Sequence, residues 1–160
     1  MIRKICLAVT ASTLASGAIA QTAEELSGVW TVVKIENVAA DGTRTPAFGK
    51  EPLTQLILTR DGHFSQSFIR SDIPKFASNN RTTGTPEENA AAVKGASTSF
   101  GTFSVADKVV TLKIVGSTYP NWNGATQPRP LVRFSADELV WRVPMATTGG
   151  TIETQWKRVK

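Results

Sequence analysis

The chain has 160 residues, of which 41% are hydrophobic and 19% charged, and its formal net charge is +5. The basic residues are scattered singly and are not interleaved with aromatic ones, which disfavours nucleic-acid binding. The one cysteine, Cys6, has no second cysteine to pair with, which excludes an internal disulfide and a multi-thiolate metal site.

The first 20 residues have the pattern of a secretory signal peptide. Arg3 and Lys4 supply the positive charge, residues 5–15 are apolar or small, and Ala18-Ile19-Ala20 has the spacing of a cleavage site. We therefore expect cleavage after Ala20, a periplasmic or secreted protein, and one domain over residues 21–160. No later stretch is long and apolar enough for an integral membrane segment.

Most of the remaining chain reads as β-strands, because runs rich in Val, Ile, Thr and aromatic residues are separated by short turn sequences. The strongest hairpin signal is Asp61-Gly62, which stands between two alternating runs. Eight strands are predicted, over residues 28–37, 53–60, 63–70, 98–105, 109–116, 130–135, 138–143 and 151–159.

One short helix is predicted near residues 86–94. Thr85 is a suitable N-cap, Glu88 stands three residues later as in a capping box, and Pro86 suits the first helical position. Eight strands with mostly short connections predict an all-β fold, an antiparallel up-and-down barrel, since closure removes the exposed edges of a flat sheet. Such a barrel has room for side chains or one small ligand.

Alternation along the strands predicts which side chains point inward. Trp30 is expected to plug the closed end of the barrel. Leu139, Trp141 and Val143 share one face of their strand, as do Ile152, Thr154 and Trp156 of the next. We expect these two faces to pair across a hairpin and to fill the barrel as core.

Gln66 and Arg70 share a strand face with Phe64 and Phe68, so burial of the aromatic rings would carry both polar side chains inward. Buried Gln and Arg side chains need partners, and a ligand can be one. The alternative is that Arg70 lies at the strand end and reaches water.

A second group of candidates lies in and after the loop 117–127. Tyr119 and Trp122 fall in the loop, and Gln127 and Arg129 follow it. We expect Arg70 and Arg129 to point to one barrel end and to meet this loop and the segment around Phe76. Two guanidinium groups near one cavity favour an anionic or carbonyl group between them. The alternatives are that the loop is only a lid and that each arginine merely closes the barrel.

No catalytic constellation stands out, and no cofactor or metal is predicted. His63, the only histidine, follows the Asp61-Gly62 turn out of phase with Phe64 and is expected to be exposed. One histidine with no carboxylate cluster does not make a metal site. The chain also lacks a nucleophile elbow and a phosphate-binding glycine loop.

Several segments together resemble the bacterial and fungal lipocalin-like domain family. They are Gly28-x-Trp30, the hairpin at 56–63, Pro74-Lys75-Phe76-Ala77-Ser78, Gly84-Thr85-Pro86-Glu87-Glu88, Phe100-Gly101-Thr102-Phe103, Pro120-Asn121-Trp122-x-Gly124 and Gln127-x-Arg129. The resemblance implies an eight-stranded calycin-like barrel with a pocket at one end, and no particular reaction. A histidine that many relatives have in the strand before Pro-Asn-Trp is missing here, where that strand reads Val110-Thr111-Leu112-Lys113-Ile114.

The leading hypothesis is a non-catalytic protein that binds a small, largely apolar molecule inside the barrel, with an anionic or carbonyl head group. The alternative is an isomerase or cyclase that uses the same pocket, with Arg129, Gln127 and Tyr119 as oxyanion donors. The oligomeric state is left open. The predicted ligand-binding residues are Gln66, Phe68, Arg70, Phe76, Phe100, Tyr119, Trp122, Gln127 and Arg129.

Overall fold

The structure, a computed structural model, describes residues 22–147 and 149–160. The predicted signal peptide therefore lies outside the described residues. Two short helices and nine strands follow in the order α1 (Ala23–Leu26), β1 (Gly28–Val38), β2 (Arg44–Pro46), β3 (Leu53–Leu58), β4 (His63–Ile69), α2 (Pro86–Gly95), β5 (Ala96–Ala106), β6 (Val109–Ser117), β7 (Thr126–Phe134), β8 (Glu138–Val143) and β9 (Thr151–Arg158). A 3₁₀ turn, Pro120–Trp122, lies between β6 and β7.

Eight of these strands form a closed antiparallel barrel, which confirms the predicted fold class. The strands pair in the order β1-β3-β4-β5-β6-β7-β8-β9. The last strand pairs back onto the first, from Trp30 opposite Arg158 to Val38 opposite Thr151. Closure leaves the backbone of these strands paired on both sides over most of their length.

The ninth strand, β2, was not predicted, and it covers an edge that the barrel leaves open. β3 pairs only with residues Gly28 to Trp30 of β1. Further along β1, β2 pairs with Glu36 to Val38 on the same side. Arg44 of β2 also forms ion pairs with Glu36 and Glu153, at N···O distances of 3.0 and 2.9 Å. These ion pairs connect the short strand to both β1 and β9.

The two ends of the barrel differ in their connections. At one end, called here the closed end, the strands are joined by tight turns at residues 59–62, 107–108 and 135–137. At the other, called the open end, the longer connections 39–52, 70–95, 118–125 and 144–150 gather. Binding residues are found more often on loops than on the elements they connect, so the open end is the more suitable place for a binding site.

Trp30 plugs the closed end, as predicted. Its side chain is fully buried and its Nε1 donates to the carbonyl oxygen of Leu26 in α1, at 3.0 Å. The guanidinium of Arg158 lies 4.0 Å from the centroid of the Trp30 ring. The same guanidinium donates to the carbonyl oxygens of Glu25, Ser27 and Ala136, so it joins α1, the β7–β8 turn and β9.

Helix α2 confirms the capping prediction. The Thr85 side chain accepts from the backbone N–H of Glu88, and the Glu88 carboxylate accepts from the N–H of Thr85. The same carboxylate accepts from the N–H of Ala77 at 2.8 Å. Because these bonds satisfy donors at the helix start and tie down the preceding loop, α2 has a fixed position over the open end.

Strand β7 begins at Thr126, four residues before the predicted start at residue 130. Pro128 and Pro130 flank Arg129 in this part of the strand, and proline lacks the N–H that a ladder needs. β7, however, pairs with β8 only from Leu131 onward, so its first part has a neighbour only in β6. Such an edge tolerates proline.

The last hairpin has the register predicted from alternation. Leu139 lies opposite Trp156, Trp141 opposite Thr154, and Val143 opposite Ile152. Trp141 and Trp156 are buried, with ring centroids 5.7 Å apart and an edge-to-face arrangement. Their packing forms the middle of the core, on which the site at the open end rests.

Candidate functional site

A cavity of about 240 Å³ enters the barrel from the open end. Its inner wall comes from the inward-facing residues of the barrel strands, and its rim comes from α2, the loop before β7 and the loop before β9. Its lining residues are Ile35, Phe48, Gln66, Phe68, Val93, Lys94, Ala96, Ser97, Thr118, Tyr119, Trp122, Arg129, Trp141, Val143, Ala146, Thr147, Ile152 and Thr154. Most of these side chains are apolar or aromatic.

Among residues 22–147 and 149–160, Arg129 is the charged side chain that lies inside the barrel, with an exposed fraction of 4%. On β7 its neighbour Pro128 is exposed, so alternation turns the Arg129 side chain inward, on the same face as Gln127 two residues away. One terminal nitrogen donates to the carbonyl oxygen of Pro128 at 3.0 Å, and the other donates to Oε1 of Gln127. Its Nε is buried without a hydrogen-bond partner among the described residues.

The electrostatic surroundings of Arg129 are unusual for a buried cation. Its hydrogen-bond acceptors are neutral oxygens, and no ion pair within residues 22–147 and 149–160 includes it. Burial lowers the pKa of this guanidinium to about 10. The guanidinium is therefore charged at neutral pH, and only neutral hydrogen-bond acceptors among the described residues offset the hydration that it loses.

Gln66 and Thr154 add polar groups to the cavity wall. Both are buried, at 7% and 1% exposure, and both lie on strands, β4 and β9, whose alternation turns them inward. Ser97 of β5 also lines the cavity. Together with Arg129 they provide several hydrogen-bonding groups on walls that are mainly apolar, the usual composition of a small-molecule site.

Five of the predicted binding residues line the cavity: Gln66, Phe68, Tyr119, Trp122 and Arg129. The rings of Tyr119 and Trp122 meet edge to face, with centroids 5.5 Å apart, at the rim. Gln127 is not part of the lining but accepts a hydrogen bond from Arg129. The inward faces of β4 and β7 and the loop between β6 and β7 therefore contribute to one cavity.

Three predicted residues lie elsewhere. Arg70 follows the end of β4, is part-exposed and pairs with Asp72, whose pKa it lowers, so it does not share the cavity with Arg129. Phe76 lies against Gly84 in the long loop before α2. Phe100 is 54% exposed and covers Gly116 on the outer face, because its neighbour Ser99 takes the inward position on β5.

Other lining residues were not predicted as part of a site. Trp141, Val143, Ile152 and Thr154 were assigned to the core, and alternation correctly turned them inward. Phe48 had no local signal, since it follows β2 in a connection and adopts a left-handed backbone with φ of 52°. Its ring stacks on Phe68, with centroids 5.1 Å apart, so a distant segment completes the wall.

The chemistry available at the cavity is that of binding groups. None of the described residues that line it is an aspartate, glutamate, histidine or cysteine. His63 is exposed near the closed end, beside Asp61 at 3.3 Å. In the part of the chain that the structure describes, no cluster of His, Cys, Asp and Glu is suited to a metal ion, and no described helix is long and apolar enough to cross a bilayer.

A closed antiparallel barrel with an aromatic-lined cavity at one end defines a lipocalin-like class of protein. The model of the lipocalin-like domain family matches residues 27–159, and the chain belongs to this family. No curated protein matches the chain in sequence. Among solved structures, a redesigned β-barrel is similar over 89% of this chain and 98% of its own, with 11% identity and a TM-score of 0.43.

Proposed function

We propose that this protein is exported and binds a small, largely apolar molecule inside the barrel, with an anionic or carbonyl head group held by Arg129. The observation that carries the proposal is the buried guanidinium with no acidic partner among the described residues, in a cavity walled mainly by apolar and aromatic side chains. Gln66 and Thr154 are further hydrogen-bonding groups for the same ligand.

The physical argument concerns the cost of burying a charge. A guanidinium removed from water loses hydration that neutral oxygens replace only in part. A carboxylate entering the cavity supplies the opposite charge, and the planar guanidinium can bind both of its oxygens. Binding therefore recovers free energy that folding alone leaves unrecovered, while the apolar part of the ligand leaves water.

Binding is favoured over the isomerase or cyclase alternative by the composition of the lining. General acid–base catalysis near neutral pH relies mostly on His, Asp, Glu or Lys at the reacting atoms. Among the described residues that line the cavity there is no His, Asp or Glu, and the lysine, Lys94, is exposed at the rim. The Tyr119 hydroxyl is also at the rim, where it accepts from the Asn121 amide at 3.1 Å.

The test is calorimetric titration of the protein without its leader, using octanoate and the neutral 1-octanol. We expect octanoate to bind and Arg129→Met to weaken it by about tenfold or more. Arg70→Met is the matched control, since it removes an arginine of the open end that lies outside the cavity lining, and we expect no change. Equal octanoate affinity in wild type and Arg129→Met would contradict the role of the guanidinium.

Export is tested separately. The Ala18-Ile19-Ala20 site predicts that material secreted by a bacterial host begins at Gln21. Mass analysis of the secreted protein checks this, and a chain that begins at Met1 would refute it. Native mass spectrometry of the same material also reports any small molecule that co-purifies.

A further inference from the structure

A continuous row of four aromatic rings runs through the barrel core, and three of the four reach the cavity. Phe48 stacks on Phe68 with an interplanar angle of 23°, Phe68 lies 5.3 Å from Trp156, and Trp156 lies 5.7 Å from Trp141. Phe48, Phe68 and Trp141 of this row line the cavity. Such rings offer a flat ligand stacked or edge-to-face contacts that an aliphatic chain cannot reproduce.

A second aromatic group faces the cavity from its rim. Tyr119 and Trp122 belong to the loop between β6 and β7, where the 3₁₀ turn fixes Trp122, whose backbone N–H donates to the Tyr119 carbonyl at 3.0 Å. Aromatic side chains therefore line the cavity both from the barrel interior and from the loop at its mouth. This arrangement suits a ring better than a flexible chain, which would lose more conformational freedom on binding.

The volume sets the size of that ring system. A cavity of about 240 Å³ is smaller than the roughly 300–1,000 Å³ of sites for drug-sized ligands. It is larger than a cavity of about 150 Å³, which is enough for benzene. One ring with a short substituent, or two fused rings, fits between these limits, whereas most of a long acyl chain would remain outside.

The charge limits the ligand to one buried acidic group. Arg129 is the cation inside the barrel, and Lys94 stands exposed at the rim. A second carboxylate inside the barrel, away from Arg129 and from Lys94 at the rim, would find only neutral side chains among the described lining residues, so its burial is costly. The lining therefore matches a monoanion.

We propose that the ligand is a small aromatic monocarboxylate, of one ring or two fused rings. Its carboxylate binds Arg129, and its ring lies between Trp122 at the rim and the interior rings of Phe48, Phe68 and Trp141. This inference rests on the proposed function, because it specifies the molecule that the same cavity takes.

The experiment uses calorimetry at pH 7.5 to compare the affinities of monocarboxylates that carry the same charge but differ in shape. The probes are trans-cinnamate, 2-naphthoate, octanoate and palmitate, with cinnamamide as the neutral partner. We expect the two aromatic acids to bind about tenfold tighter than octanoate, which corresponds to one or two aromatic contacts. Palmitate should bind no tighter than octanoate, and cinnamamide at least tenfold more weakly than cinnamate.

Two substitutions locate the effect. Trp122→Leu removes the rim ring and should weaken cinnamate several-fold while changing octanoate less. Phe100→Leu is the matched control, since Phe100 is an exposed aromatic outside the cavity, and it should change neither affinity. Thermal unfolding of each variant verifies that it is folded.

The two proposals fail in different ways. If octanoate or palmitate binds as tightly as the aromatic acids, with affinity that still depends on Arg129, the aromatic class is overturned and the acid-binding function stands. If none of the acids binds, or if Arg129→Met binds them as wild type does, the proposed function is overturned and this inference with it.

Discussion

At the scale of single residues, Arg129 is expected to lower the stability of the ligand-free protein. Burial lowers its pKa to about 10, and because each pKa unit corresponds to about 1.4 kcal/mol, the buried charge costs on the order of 3–4 kcal/mol. Methionine has a similar length and suits the apolar walls. We therefore predict that Arg129→Met unfolds at an equal or higher urea concentration than wild type.

That measurement also separates two roles of Arg129. If the arginine only closes the barrel through its bonds to Pro128 and Gln127, Arg129→Met must destabilise the fold, because it leaves buried acceptors unpaired. A loss of more than about 1 kcal/mol would favour that structural role. A neutral or stabilising effect together with lost acid binding is typical of a functional residue.

The pH dependence of acid binding follows from the lowered pKa of Arg129. The guanidinium is charged below about pH 10 and loses its proton above it in the free protein. A carboxylate ligand binds the charged form, so we predict constant affinity for octanoate between pH 6.5 and 9 and a fall approaching tenfold per pH unit above about pH 10. Titration of 1-octanol over the same range is the control. An octanoate affinity that stays constant to pH 11 would contradict the prediction.

The same pKa determines a stability contribution, whose sign is the opposite of that of a salt bridge. Above about pH 10, and below the higher ordinary pKa of arginine, the unfolded chain holds this proton and the folded chain has lost it. Stability therefore rises with pH in that window as far as Arg129 contributes. The difference between wild type and Arg129→Met should shrink there.

Part of the site was predictable residue by residue, because alternation along a strand is a local sequence signal. Gln66, Phe68 and Arg129 lie on strands, where the period of two decides which side chains face inward. Phe100 was placed wrongly although the period of two holds along β5, where Ser99, Gly101 and Phe103 are buried and Phe100 is exposed. Phe48 had no such signal, since only the folded barrel brings it onto Phe68.

At the scale of elements, Arg158 joins three segments at the closed end, and its loss should weaken the fold without touching the site. Its guanidinium contacts the Trp30 ring and donates to carbonyls of α1 and of the β7–β8 turn. Lysine keeps the charge but has one nitrogen in place of the fork. We predict that Arg158→Lys lowers the free energy of unfolding by about 1–3 kcal/mol.

Urea unfolding measures this loss, and octanoate affinity serves as the internal control. The affinity should equal that of wild type, because Arg158 lies at the end of the barrel opposite the cavity. A variant as stable as wild type would show that the three carbonyls find other donors at no cost. Reduced affinity would show that the two ends are coupled.

Elements with strong local signals were predicted well, and elements defined by their neighbours were not. The Asp61-Gly62 hairpin, the capped helix α2 and the β8–β9 pairing follow from short-range chemistry. β2 exists because β3 leaves part of β1 unpaired, and β7 extends through its prolines because β8 pairs with it only from Leu131 onward. Both depend on the tertiary pairing, which no window of sequence contains.

At the scale of the whole molecule, the barrel divides its tasks between its two ends. The closed end has tight turns, the Trp30 plug and the Arg158 bonds. The open end has long connections, including a segment with positive φ at Phe48, Gly49 and Glu51. Regions with more loop and fewer buried contacts open locally at lower free energy, and ligand sites are commonly drawn from them. Stability and binding are therefore expected to be unequally distributed along the barrel axis.

Native-state hydrogen exchange tests this distribution. We predict that amides of Trp30, Leu56 and Leu139 exchange only through global unfolding, while amides of residues 39–52 and 118–125 exchange through local opening. Octanoate at a hundredfold excess over its Kd should add about 2.7 kcal/mol to the global unfolding free energy. Because it contacts the open end, it should also slow local opening there, and in Arg129→Met the same concentration should have much smaller effects. Protection that is highest at the open end before ligand is added, or that does not rise at residues 39–52 and 118–125 when octanoate is bound, would contradict a division of stability and binding between the two ends.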